Sequence, residues 1–181
     1  NKVKTYGVAN PVLTITYSGF KGADDKTVID VLPSITTTAG QYSIPGTISI
    51  VTSGASDNNY LFTYADGNLV INKANLTFTA VSKTKDYLAS NPDLTIIISG
   101  LLNNETQSVL DVLPSIQTTA LQSSNADIYP ITLSGGSDNC YNYLFQQGTL
   151  TIVRISQTIT YTSIDSSMLV ADIITLGASS T

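Results

Sequence analysis

The hexapeptide Asp30-Val31-Leu32-Pro33-Ser34-Ile35 returns unchanged as Asp111-Val112-Leu113-Pro114-Ser115-Ile116, and no other feature limits the fold so strongly. Self-similarity at a fixed spacing means that one supersecondary unit is built twice, so the architecture must be a small unit that can be chained to a copy of itself. The period is roughly 80 residues. Asn10-Pro11-Val12-Leu13-Thr14-Ile15 falls on Asn91-Pro92-Asp93-Leu94-Thr95-Ile96, Ser18-Gly19 on Ser99-Gly100, and Ser53-Gly54-Ala55-Ser56-Asp57-Asn58 on Ser134-Gly135-Gly136-Ser137-Asp138-Asn139. Beyond that point Tyr60-Leu61-Phe62 is set against Tyr143-Leu144-Phe145, with Cys140-Tyr141 as an insertion, and a shorter turn restores the register of Gly67 with Gly148.

The alignment divides the chain into a first repeat at 1–73, a second at 74–154 and the start of a further β module at 155–181. Lys4-Thr5-Tyr6-Gly7 meets Lys85-Asp86-Tyr87-Leu88, so the strand-like Ala74–Ala80 has no counterpart in the first copy. The chain thus begins in mid-pattern and reads as a fragment of a longer protein. If a strand of that type belongs to the module that follows it, the sheet of the first copy keeps an unpaired edge, which residues 157–161 of a neighbouring molecule could fill.

Leu13-Thr14-Ile15-Thr16-Tyr17 alternates apolar and polar residues, the pattern of a strand with one buried face. In Leu94-Thr95-Ile96-Ile97-Ile98 the outward Ile97 is either covered by a neighbouring repeat or singly exposed. The helix candidates are Asp24–Asp30 and Glu105–Asp111, one to two turns each. Asn104 and Gln107 have capping-box spacing, and Pro33 and Pro114 end the turn by pushing the preceding Leu out of the α region. Ile35–Thr38, Thr47–Thr52 and their copies read as β-branched strands, the Ser-Gly-x-Ser-Asp-Asn stretches as turns entering a Tyr-x-Phe strand, and Gly67 and Gly148 as turn glycines before Leu-x-Ile.

Composition removes several functions. His is absent from the 181 residues, which excludes Ser-His-Asp and Cys-His catalysis and His-ligated metals. The single cysteine, Cys140, cannot form an internal disulfide and is read as a loop residue. A formal charge of −5 argues against nucleic acid and anionic membrane surfaces as partners, because both need clustered Lys and Arg. No apolar run reaches the roughly 18 residues of a membrane span. Charged residues are only 12% of the chain, and Thr, Ser and Asn supply the polarity of an uncharged β surface.

Individual motifs favour structural roles. Ser134-Gly135-Gly136-Ser137 lacks the following helix of a phosphate site and reads as a turn. No D-x-[DN]-x-[DN]-G run supports calcium. The sequons at Asn75 and Asn104 are discounted as chance, and no pair of carboxylates is singled out for glycoside hydrolysis. Tyr6 and Tyr87 recur before Asn-Pro, and Tyr60 and Tyr143 recur beside Phe62 and Phe145, which suits core tyrosines better than sugar-stacking ones. Asp30 and Asp111 are expected to make a local hydrogen bond. No catalytic, cofactor-binding or metal-ligating residue is assigned.

The set Tyr6-Gly7-x-x-Asn10-Pro11-x-Leu13-Thr14, Ser18-Gly19-Phe20, Ser53-Gly54, Asn59-Tyr60 and Gly67-x-Leu69-x-Ile71-x-Lys73-Ala74 resembles the MBG domain of the YGX type, a repeat of large bacterial secreted and surface proteins. The second copy carries the same frame, departing at Leu88 and at Arg154-Ile155. The resemblance implies an adhesin-like or stalk-like extracellular protein with no catalytic residues. The expected fold is mostly β (α+β): tandem antiparallel β-grasp-like repeats, each with one short helix, with Ig-like β-sandwich repeats as the alternative. The expected function is a structural stalk or spacer of a cell-surface or secreted protein. It needs no enzyme activity and no cofactor, and its partners are neighbouring repeats of the same chain. The alternative is an adhesin module binding a glycan or protein. A spacer predicts an elongated particle with a short linker near Lys73–Leu76, and one variant adds a Lys–Asn isopeptide cross-link inside a repeat.

Overall fold

The computed structural model describes residues 1–161 and 178–180. In the first repeat, strands β1 (Lys2–Thr5), β2 (Ser34–Thr37), β3 (Gly46–Ser53) and β4 (Gly67–Asn72) form one sheet in the order β1-β4-β3-β2. The second repeat holds β5 (Ala74–Ala80), β6 (Lys83–Asp86), β7 (Ile96–Ser99), β8 (Ser115–Thr118), β9 (Ile128–Ser134), β10 (Tyr141–Gln146) and β11 (Gly148–Val153). Its sheet β6-β11-β9-β8 copies that of the first repeat, and a further sheet β10-β5-β7 has no equivalent there. Past them, β12 (Ile159–Tyr161) pairs antiparallel with β13 (Ala178–Ser180). The rest of the module expected at 155–181 lies outside the described residues.

The fold is mostly β, and the helix expected in each repeat is absent. One 3-10 turn of three residues stands in its place, at Lys26–Val28 and at Gln107–Val109. Neither proline ends these turns: the chain is already extended at Ile29 and Leu110, whose side chains are buried, and Val31 and Val112 then form β-bridges with Ser56 and Ser137. Bridging the backbone to another segment satisfies its polar groups without a helix. Asn104 is no helix cap either. It has φ 55° in the preceding turn, while Thr106 occupies the cap position with no side-chain bond. The β-grasp expectation, which rested on a helix crossing the sheet, is therefore overturned. The sheets are mixed rather than antiparallel, since β1 and β4, β6 and β11, and β5 and β10 pair parallel, which also separates the unit from an antiparallel Ig-like sandwich.

Side-chain and backbone bonds fix the internal alignment. Asp57 Oδ1 accepts from the amides of Asn59 and Tyr60, and Asp138 Oδ1 accepts from those of Cys140 and Tyr141. Tyr60 therefore corresponds to Tyr141, Phe62 to Tyr143 and Tyr64 to Phe145. The offset is 81 residues throughout, and the expected Cys140-Tyr141 insertion does not exist. Like-for-like pairing of Tyr-x-Phe had suggested a gap that the backbone does not contain.

In β5 the alternation decides the packing. Ala74, Leu76, Phe78 and Ala80 are buried, with Leu76 and Phe78 completely so, while Asn75 faces solvent. They meet Ile131, Leu133, Leu150 and Ile152 of the four-stranded sheet in one core, each large apolar side chain stabilising by about 1.5–3 kcal/mol. The first repeat has a smaller core, Ala39, Ile50, Leu69 and Ile71 with Leu13, Ile35 and Ile48 against it. Here the strands expected at Leu13–Tyr17 and at Tyr60–Phe62 do not form, although their counterparts β7 and β10 do. Both counterparts pair with β5, and without such a partner the backbone of neither segment has a ladder to join. Ile97 is exposed rather than covered by a neighbour.

Each repeat also buries one lysine. Lys4 donates to the carbonyls of Val8, Gly40 and Gln41, and Lys85 to those of Ala89, Leu121 and Gln122, tying the first strand to the loop after β2 or β8. Burial holds the Lys4 ammonium below the ordinary lysine value.

Candidate functional site: the joint between repeats

Where a short linker is expected, near Lys73–Leu76, Ala74–Leu76 belong to β5 and the single residue between β4 and β5 is Lys73. Its ammonium donates to the Asp138 carbonyl at 2.7 Å, and the Ala74 amide donates to the Cys140 carbonyl at 2.9 Å. The first repeat is thus anchored to the second at the point where the chain passes between them.

The side chains at that junction come from two turns. In Thr5-Tyr6-Gly7-Val8 the Val8 amide donates to the Thr5 carbonyl, and Gly7 at the third position has φ 81° while Tyr6 does not have positive φ. This is a type II turn, which presents the residue before the glycine outward. Tyr6 enters the second repeat and is buried in its core. Its ring meets Tyr141 edge-on at 5.6 Å and Tyr42 at 5.9 Å. Its hydroxyl donates to Glu105 Oε1 at 2.7 Å, while the Tyr141 hydroxyl donates to Glu105 Oε2 at 2.6 Å. One half-buried carboxylate therefore holds two phenols from different repeats. The Leu102 amide donates to the Tyr141 oxygen, and the Leu102 side chain covers Gly7 so closely that an added Cβ would collide with its Cδ1.

The electrostatics agree with burial. Tyr6 titrates well above an ordinary tyrosine, because of burial first and then its bond to the Glu105 carboxylate. Tyr141 is pushed up to about 12 by burial and the same carboxylate, partly offset by the Leu102 amide. Cys140, half-buried beside them, is raised by burial and by Asp138 and Glu105, the opposite of what a nucleophilic thiol needs.

Each half of the joint recurs one repeat along. Tyr60 donates to Asp24 Oδ2 at 2.6 Å and accepts from the Lys21 amide, as Tyr141 does with Glu105 and Leu102. Tyr87 occupies in the second repeat the turn position of Tyr6, with Leu88 at φ 66° in place of the glycine. Each repeat thus carries a tyrosine knob and a tyrosine–carboxylate socket, and here the knob of the first fills the socket of the second. The sequence contained this signal, since Asp24 and Glu105 keep an acid and Tyr60 and Tyr141 keep a phenol at one offset, but the supposed insertion separated them.

The residues considered from sequence are elsewhere. Asp30 and Asp111 accept from the amides of Asn58 and Asn139, 28 residues along the chain, so the bond closes a turn but is not local. Ser134 ends β9, Gly135 and Gly136 follow with positive φ, and Ser137 is bridged to Val112. Among the described residues no group of three or more His, Cys, Asp or Glu could hold a metal ion, and no helix is long and apolar enough to cross a membrane.

Modules that each end in a knob and offer a socket define a tandem structural-repeat protein of mostly-β units. The profile of the MBG domain (YGX type) matches residues 1–70 and again 76–151, and the chain belongs to that family. MBG domains are a non-catalytic, structural type of repeat found in surface proteins. No curated protein and no solved structure matches the chain.

Proposed function

We propose that this chain is a length of stalk from a large bacterial secreted or cell-surface adhesin-like protein, and that its work is to hold other parts of that protein at a distance. The observation that carries the reading is the joint around Glu105: it is heterologous, with knob and socket on different surfaces of the unit. A heterologous contact that does not close on itself extends into an array. Neighbouring repeats of the same chain are then the partners, with no substrate and no cofactor. The uncharged, Thr-rich surface and the absence of His suit an extracellular spacer whose properties do not change with pH near neutrality.

Small-angle scattering on the 181-residue chain tests this. A spacer gives an elongated profile whose maximum dimension grows by a constant increment when further repeats are added. A compact profile with the two repeats folded face to face, unchanged in length as repeats are added, would sink the reading.

A further inference from the structure

The chain enters the second repeat through β5 and leaves it through β11, and these two ends of the unit run side by side. Tyr141 faces Ala74 and Gln146 faces Thr79 in the parallel pairing of β10 with β5. Leu150 faces Lys83 and Val153 faces Asp86 in that of β11 with β6. Each of these pairs is 67 residues apart, as is the bond from the Thr149 amide to Ser82 Oγ that spans the gap between the two sheets. The register is therefore continuous: 74–86 and 141–153 are one parallel pair that bends from the three-stranded sheet into the four-stranded one. At the bend the backbones are so close that a Cβ on Gly148 would lie 2.5 Å from the Ala80 carbonyl oxygen.

Direction decides what tension does to such a pair. Because the strands are parallel, the entry at Ala74 and the exit at Val153 lie at opposite ends of it. Pulling the chain taut must slide one strand along the other, and the evenly spaced bonds of a parallel ladder then share the load. Two strands pulled apart from the same end instead open one bond at a time. Sliding also meets the side chains. A slip of one residue would turn Leu76 and Phe78, both completely buried, to the opposite face. On β6 the Lys85 ammonium would have to leave the carbonyls of Ala89, Leu121 and Gln122, the last two in the loop after β8.

We propose that the second repeat is a force-bearing clamp that resists tension along the chain, with 74–86 and 141–153 as the sheared pair and Lys85 as its latch. That the chain is under tension rests on its reading as a stalk. The resistance itself belongs to the fold, so a compact scattering profile would remove its use and leave the force measurement unaffected.

The test pulls on the whole chain in an optical trap, through thiol-coupled handles in a Cys140→Ser background. Handles at Asn75→Cys and Arg154→Cys sit at opposite ends of the pair and load it in shear. Handles at Asp86→Cys and Arg154→Cys sit at one end and peel β6 from β11. All three positions are exposed, and both handle pairs should share one urea midpoint. At equal pulling speed the shear geometry should rupture at roughly twice the peeling force or more, because forced unfolding follows the unfolding barrier and not the equilibrium stability. Lys85→Met keeps the stem, removes the ammonium and should lower the shear force. Ile116→Ala on β8, outside the sheared pair, should lower the urea midpoint and leave that force unchanged. Equal forces in the two geometries, or a shear force below the peeling force, would overturn the clamp. A shear force unchanged by Lys85→Met, or lowered by Ile116→Ala alone, would overturn the latch.

Discussion

Gly7 and Leu88 occupy the same turn position, both with positive φ, yet only one is glycine. The backbone alone would favour glycine at both, since the left-handed conformation costs other residues about 1–2 kcal/mol. Contact separates them: Leu102 packs onto Gly7, whereas Leu88 is exposed and its side chain has room. Leu88→Gly should therefore stabilise the second repeat by about 1 kcal/mol, and Gly7→Ala should destabilise the joint by at least as much, both read from urea midpoints. The two phenols at Glu105 give a pH signature. Tyr6 and Tyr141 ionise later in the fold than in the unfolded chain, whose tyrosines titrate near 10.0. Above that value the unfolded chain has released more protons, so stability is intact below pH ~10 and falls as the pH rises through about 12. Tyr60 and Tyr143 are also raised, so absorbance titration should show Tyr6 and Tyr141 among a late-ionising group of four tyrosines, and Tyr6→Phe should remove one of that group.

At the level of elements, β5 determines whether its neighbours are strands at all. Leu13–Tyr17 carries cleaner alternation than Leu94–Ile98, yet only the second region pairs, as β7. Hydrogen exchange should find the amides of 13–17 and 60–64 poorly protected and those of β7 and β10 well protected, because protection follows the ladder and not the side-chain pattern. Phe78→Ala should cost about 3–5 kcal/mol and bring exchange in β7 and β10 toward that of the first repeat. Uniform protection across both pairs of segments would remove this account. The helix expectation failed for a related reason. Val28, Val31 and Leu32 have helical spacing, but Ile29 and Leu110 are drawn into the core and the next residues are held by β-bridges, which an isolated turn cannot outweigh.

For the whole molecule the joint makes two small cores one mechanical object. Stability in such chains is approximately the sum of the units and of the interfaces between neighbours. Glu105→Ala removes the acceptor of two buried hydroxyls and should cost about 2–4 kcal/mol, mostly from coupling. Calorimetry should then resolve two transitions, the first repeat melting earlier, in place of the closer pair of the parent chain. If the variant melts with an undivided profile, the joint does not couple the repeats.

The tandem organisation, the family frame, the β-rich character and the exclusion of His-dependent chemistry were all legible in the amino-acid sequence, because repetition, composition and alternation are properties of the chain itself. The alternation in Ala74–Ala80 even marks the faces that become buried. Only the tertiary structure decided that Tyr6 and Glu105, 99 residues apart, share a hydrogen bond, that Lys73 alone separates the strands of the two repeats, and that the alternating segment at 94–98 contributes to a strand beside β5 while the one at 13–17 does not. The physical reason is that a strand is completed by its neighbours: a segment's own residues fix which face is apolar, but its backbone hydrogen bonds depend on what lies beside it.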